Sequence, residues 1–198
     1  MLVTDDALVA GRDLVNLAQA AERGGVTSVE LRLKRSSGRE LVAAARALVA
    51  ALRVPVLIND RPDVAIAAGA AGVHLGPDDL PVAYARRIAP PGFIVGASAG
   101  SPEEAASARD ADYWGVGPWR ATDTKADAGP AIGIEGFGRL VALAERKPCL
   151  AIGGVRPEDV ATVIGAGGVG VAVGSGILGV DDVEGAAREY WNSVNGER

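Results

Sequence analysis

The chain has 198 residues, 48% of them apolar and 23% charged, which describes an ordinary globular protein and excludes a disordered one. The net charge of −5 argues against a nucleic-acid or membrane surface. A single Cys, Cys149, and a single His, His74, exclude disulfides within the chain and thiolate- or imidazole-rich metal sites. Aromatics are only 4% against 27 Gly, so the core has to be packed from small and branched aliphatics. Met1 is followed by Leu-Val-Thr-Asp-Asp, without a basic n-region or cleavage site, and the apolar runs are short and broken. The expectation is one cytoplasmic domain over residues 1–198.

Short apolar runs alternate with helical patterns along the chain. Leu2-Val3-Thr4 is a first strand. Residues 12–23 carry apolar side chains at helical spacing and stop at Gly24-Gly25. Residues 26–33 read as a strand, with Val29, Leu31 and Leu33 alternating against polar residues. Residues 38–52 form an Ala-rich helix, 54–58 a strand ending at Asn59-Asp60, 62–70 a helix and 72–75 a strand. A helix over 81–88 and a strand over 93–97 follow. Ser101-Pro102-Glu103-Glu104 has the residues of a helix start, running to about Asp110. Residues 112–116 are a strand, 117–133 a long Gly-rich loop and 134–146 a helix. The strand at 149–152 leaves through Gly153-Gly154. A helix over 156–165, a strand over 169–173 leaving through Gly174-Ser175-Gly176, and a helix over 181–194 complete the pattern. Eight strands in strict alternation with eight helices imply a parallel sheet closed into a (β/α)8 TIM barrel. The long loop 117–133 then stands out as an active-site element.

In such a barrel the chemistry gathers at the carboxyl ends of the strands. The glycine turns after the seventh and eighth strands fit a phosphate, because Gly lets backbone N–H groups approach an oxyanion. Asp60 and either Asp78 or Asp79 leave neighbouring strands, a disposition that suits Mg2+; singly, each would read as a helix cap. Arg32, Lys34 and Lys125 add cations, so the set reads as a pyrophosphate site. Glu30, Arg32 and Lys34 share one strand face, and three charges are better accommodated toward a ligand than beneath helices. Ser98 is not needed as the helix cap. Thr122 and Thr124 are loop hydroxyls beside Lys125. His74, within Val-His-Leu-Gly, reads equally as a structural or a catalytic imidazole.

Several stretches resemble the thiamine phosphate synthase family. They are Leu-Val-Thr-Asp at 2–5, Gly-Gly-Val-Thr-Ser-Val-Glu-Leu-Arg-Leu-Lys at 24–34 and Ile-Asn-Asp-Arg-Pro-Asp-Val-Ala at 58–65. Gly-Val-His-Leu-Gly-Pro-Asp-Asp-Leu-Pro at 72–81, Gly-Pro-Trp-Arg-Ala-Thr-Asp-Thr-Lys at 117–125 and Ala-Ile-Gly-Gly-Val at 151–155 follow in order. The resemblance implies an enzyme that joins a hydroxymethylpyrimidine pyrophosphate to a thiazole phosphate and releases pyrophosphate. It implies Asp60 and Asp79 as Mg2+ ligands. Arg32, Lys34, Asn59, Ser98 and Lys125 match positions that hold the pyrimidine pyrophosphate, with Ser98 and Lys125 the catalytic candidates. Thr122, Thr124, Gly154, Gly174 and Ser175 match the thiazole phosphate site. The partners implied are these small molecules; homo-oligomerisation is left open.

The chain departs from the family pattern at Glu30, where Gln is usual. It also departs at Gly100 (usually His), Pro77 (Gln) and Ala121 (Pro). An amide both donates and accepts, whereas an ionised carboxylate only accepts. A thiazole tautomerase, a barrel relative of the same group, carries a His near the fifth strand exit, where this chain has Gly100. A sugar-phosphate epimerase would need a general acid–base pair inside the barrel, for which only Glu30 or an Asp is available. A non-catalytic sensor of thiazole or thiamine phosphate is the third alternative, and Glu30 is the residue that keeps it open.

Overall fold

The computed structural model describes residues 1–121 and 129–196. Among them eight parallel strands, β1 (Leu2–Val3), β2 (Val29–Leu31), β3 (Val56–Asn59), β4 (Gly72–Leu75), β5 (Ile94–Ser98), β6 (Tyr113–Val116), β7 (Cys149–Ile152) and β8 (Gly170–Ala172), pair in sequence order. A bridge between Leu2 and Val173 closes the sheet, with Val3 N–H donating to Val173 O at 2.9 Å. The architecture is the expected (β/α)8 barrel.

Ten α-helices are described: α1 (Asp6–Val9), α2 (Leu14–Arg23), α3 (Gly38–Ala51), α4 (Pro62–Ala68), α5 (Val82–Ile88), α6 (Pro102–Ser107), α7 (Gly133–Leu143), α8 (Val160–Gly165), α9 (Ser175–Leu178) and α10 (Val183–Asn195). Eight answer to the helical patterns in the sequence. The other two, α1 and α9, are single turns, too short for an apolar period to register. Side-chain caps fix several starts: Ser37 and Glu40 form a capping box on α3, and Ser101 accepts Glu104 N–H on α6. No helix among the described residues is long and apolar enough to cross a membrane.

The β2 ladder is shorter than the apolar alternation over 26–33. Past Leu31 the backbone turns to side chains. Arg32 N–H donates to Thr4 Oγ1 at 2.8 Å, and Lys34 N–H to Asp6 at 2.8 Å. With β1 only two residues long there is no ladder partner at that height.

The outer strand faces pack against the helices. Val29, Leu31, Ile58, Val73, Val95, Val116 and Ala151 meet Ala18, Ala45, Leu48, Ala65, Ala85 and Phe137, all buried. Alanine on the helices lets them sit close to the strands, so so few aromatics suffice. Inside the barrel, Asn59, His74, Gly96 and Tyr113 lie in register across four adjacent strands. Tyr113 crosses over Gly96, where a Cβ would fall 2.2 Å from its ring carbons. That missing side chain gives the one interior tyrosine its space.

Candidate active site

A cavity of about 620 Å3 opens at the carboxyl ends of the strands. Glu30, Arg32, Lys34, Asn59, Asp60, Asp79, Ser98, Gly154, Gly174 and Ser175 all line it. Residues from six strand exits, far apart in sequence, are thus gathered into one volume. Thr122, Thr124 and Lys125 lie outside the described residues.

On the β1–β4 side the cavity is ionic. Arg32 Nη1 pairs with Asp5 at 2.7 Å, both groups well covered, and Lys34 Nζ pairs with Asp60 at 3.3 Å. Asp5 uses its other oxygen to cap α1, accepting Ala7 N–H at 3.0 Å. Thr4 holds the Arg32 backbone from both sides, also donating to Arg32 O at 3.3 Å. Thr4 and Asp5 had no assigned task in the sequence; their signal was their place at a strand exit. Glu30, only 3% exposed, also lines the cavity.

Asp60 does not cap a helix. It occupies the left-handed region at φ 63°, its N–H donates to His74 O at 2.8 Å, and Arg61 stands at the N-cap of α4 without a side-chain bond. A non-Gly residue held there carries a conformational cost, smaller for Asp than for most residues, that the fold must outweigh. Asp79 turns back to accept Gly76 N–H at 2.7 Å and leaves α5 uncapped by its side chain. Burial, together with the Asp60 carboxylate beside it, raises the Asp79 carboxyl to about 6, against the opposing Gly76 bond and Lys34. Two oxygen donors that repel one another are a fitting seat for a hard divalent cation. Among the described residues no third carboxylate, His or Cys joins them, so water and substrate oxygens would complete such a shell.

A short polar chain runs across β4, β5 and β6, with His74 and Ser98 lining the cavity and Tyr113 buried beside them. Tyr113 Oη lies 2.9 Å from His74 Nδ1, and His74 Nε2 lies 3.2 Å from Ser98 Oγ. Burial, with a contribution from Glu30, pushes the Tyr113 phenol well above its usual range, so it stays protonated. Its only partner among the described residues is His74, which assigns the phenol as donor to Nδ1 and Nε2–H as donor to Ser98. The Ser98 hydrogen is then free for the cavity. His74 is therefore a hydrogen-bonded cavity residue that orients Ser98. Sequence reasoning missed Tyr113 altogether; its interior parity with Gly115 was the available signal.

The β7–β8 side carries no charge of its own at the turns. Gly153 and Gly154 adopt φ of 88° and 67°, open to Gly at little cost. The N–H groups of Gly154, Val155, Gly174, Ser175 and Gly176 find no protein acceptor among the described residues, and all five residues line the cavity. Free backbone N–H donors lining one cavity suit an oxyanion. The site thus has one end lined by paired cations and carboxylates and another lined by unbonded backbone amides, with the Glu30 carboxylate and the Ser98 hydroxyl in the same cavity.

Comparison with known proteins agrees with this arrangement. A family model described as thiamine monophosphate synthase matches residues 1–177. A thiamine-phosphate synthase of Methanoculleus marisnigri is 48% identical over 198 residues, covering 98% of this chain and 93% of that protein. One of Xanthobacter autotrophicus is 52% identical over 192 residues, covering 94% and 90%. Among solved structures, a thiamine phosphate pyrophosphorylase of Pyrococcus furiosus superposes with a TM-score of 0.87 at 34% identity, covering 98% of this chain and 95% of that one. A phosphoribosyl anthranilate isomerase of Thermus thermophilus shares the fold alone, with a TM-score of 0.67 at 17% identity. The chain belongs to the thiamine monophosphate synthase family.

Proposed function

We propose that this chain is a thiamine phosphate synthase, a transferase that couples 4-amino-2-methyl-5-hydroxymethylpyrimidine pyrophosphate with 4-methyl-5-(2-phosphoethyl)thiazole. The observation that carries the reading is that one cavity is lined both by Arg32, Lys34, Asp60 and Asp79 and by the unbonded backbone N–H groups of the turns after β7 and β8, which we read as two unlike anion sites. A reaction with a pyrophosphate leaving group and a phosphate-tethered nucleophile needs both.

In this reading Arg32, Lys34 and Asn59 take the pyrophosphate, the two cations exchanging Asp5 and Asp60 for phosphoryl oxygens. Asp60 and Asp79 would hold Mg2+, which when bound supplies positive charge to the leaving group. The free amides at Gly154, Gly174 and Ser175 take the thiazole phosphate, joined by Thr122 and Thr124. Glu30, buried in the cavity wall, meets the pyrimidine and accepts from its amino group. Ser98, oriented by His74, and Lys125 donate toward the departing pyrophosphate. The methylene carbon–oxygen bond breaks and its electron pair leaves with pyrophosphate; the thiazole nitrogen lone pair forms the new carbon–nitrogen bond. Charge that develops on the leaving oxygens meets fixed donors, which is where a preorganised site lowers a barrier most. No thiol or general-base imidazole is required. As a step on small charged metabolites it belongs in the cytoplasm, in a single domain spanning 1–198.

The test is direct. Purified protein with Mg2+ and both substrates should form thiamine phosphate, followed as its fluorescent oxidation product. Asp60→Ala and Lys125→Ala should each reduce the rate sharply. Absence of product from the parent protein would sink this reading, and binding of the thiazole phosphate without turnover would favour a sensor.

A further inference from the structure

The amide turn after β7 is held from behind, by residues that do not line the cavity. Successive glycines at φ of 88° and 67° have no intrinsic preference for that geometry, so neighbouring contacts must select it. Arg120 provides them. Its N–H donates to Gly153 O at 2.9 Å, and its Nη1 reaches Gly154 O at 3.4 Å. The preceding Trp119 N–H donates to Ile152 O at 2.8 Å.

The Arg120 guanidinium then forks onto both carboxylate oxygens of Asp159, Nη2 meeting Oδ1 at 2.6 Å. Asp159 also accepts Arg156 N–H at 2.9 Å, on the far side of the same turn. Burial would raise the Asp159 carboxyl, but the bonds from Arg120 and Arg156 outweigh it and hold it below the usual range. Asp159 is 7% exposed, one of four buried polar residues among those described. The two turn carbonyls are therefore drawn outward to Arg120. The N–H groups of Gly154 and Val155 are left to the cavity.

We propose that Arg120 and Asp159 are a positioning pair that sets the anion affinity of the β7 turn, and through it the binding of the phosphate-bearing substrate. Anion binding by the turn stands on the geometry alone; that the anion belongs to the thiazole substrate rests on the function proposed above.

The experiment titrates inorganic phosphate into the 15N-labelled full-length protein and follows the amide signals of Gly154 and Val155. Arg120→Met should weaken the phosphate affinity read there about tenfold, the scale of one lost charge-assisted bond. Affinity read at Asn59 and Asp60 should stay within about twofold of the parent, since the pair lies beyond direct contact. Arg120→Lys, which keeps the charge but not the fork, should fall in between. Asp159→Asn should resemble Arg120→Met, and the double variant should be no weaker than the worse single one. In turnover, the KM for the thiazole phosphate should rise with kcat little changed. Equal loss at both ends of the cavity, additive single effects, or a folded Arg120→Met with parental affinity would each overturn the pair. So would a parent protein whose Gly154 and Val155 signals ignore phosphate. A parent that shifts with phosphate yet forms no product would count against the coupling reaction only.

Discussion

Tyr113→Phe isolates one hydrogen bond at the centre of the barrel. The substitution keeps the ring over Gly96 and its tilted contact with His74, at 5.5 Å between centroids, and deletes only the phenolic oxygen. His74 Nδ1 then loses its 2.9 Å partner. Leaving a buried polar atom unpaired costs about 1–3 kcal/mol. His74 is 6% exposed but lines the cavity, so water can partly replace the phenol. The lower half of the range is expected, about 1–2 kcal/mol. For a chain of this size that corresponds to a fall in Tm of about 2–8 °C. Equilibrium urea unfolding should show a lower midpoint at unchanged m, because the surface exposed on unfolding hardly changes. Turnover should fall as well, since Nε2–H no longer has a fixed tautomer to offer Ser98. A midpoint equal to the parent's would refute the claim that the phenol satisfies His74; an altered m would mean that the packing, not the bond, had changed.

Removal of divalent cations with EDTA should stop turnover, and added Mg2+ should restore it in the parent but not in Asp60→Ala, where about a hundredfold loss is expected from the missing carboxylate. Glu30→Gln should be as active as the parent or more so, because the amide can both donate to and accept from an aminopyrimidine; a large loss in steady-state rate would give Glu30 its own task. Cys149 is fully buried and its thiol is pushed by burial to about 11, so a chromophoric disulfide reagent at pH 8 should label it only on unfolding. Asp159 contributes stability that is present above the ordinary carboxylate pKa and is lost as the pH falls through its lowered value in the fold. Urea midpoints measured between pH 5 and pH 2 should therefore fall less steeply in Arg120→Met than in the parent.

Much of the barrel was legible because its signals are local. Strand runs, helical periods and caps such as Ser37 and Ser101 depend on residues a few positions apart. The strand exits followed, and with them the polar residues that stand there. The ends of elements were less legible. Where β2 stops depends on Thr4 and Asp6, 28 residues away, which take the N–H groups of Arg32 and Lys34.

The sequence by itself determined the class of chemistry: one thiol, one imidazole, several carboxylates and cations at strand exits, and paired glycines. It also determined the βα alternation, since periodicity and turn residues are carried by neighbours in the chain. Only the tertiary structure decided which groups meet. It set Asp60 rather than a helix amide against Asp79, seated Arg32 on Asp5, strung Tyr113, His74 and Ser98 into one chain, and drew Arg120 across to Asp159. Those contacts join residues from different strand exits, and their distances are fixed by barrel closure and side-chain packing, which no local pattern encodes.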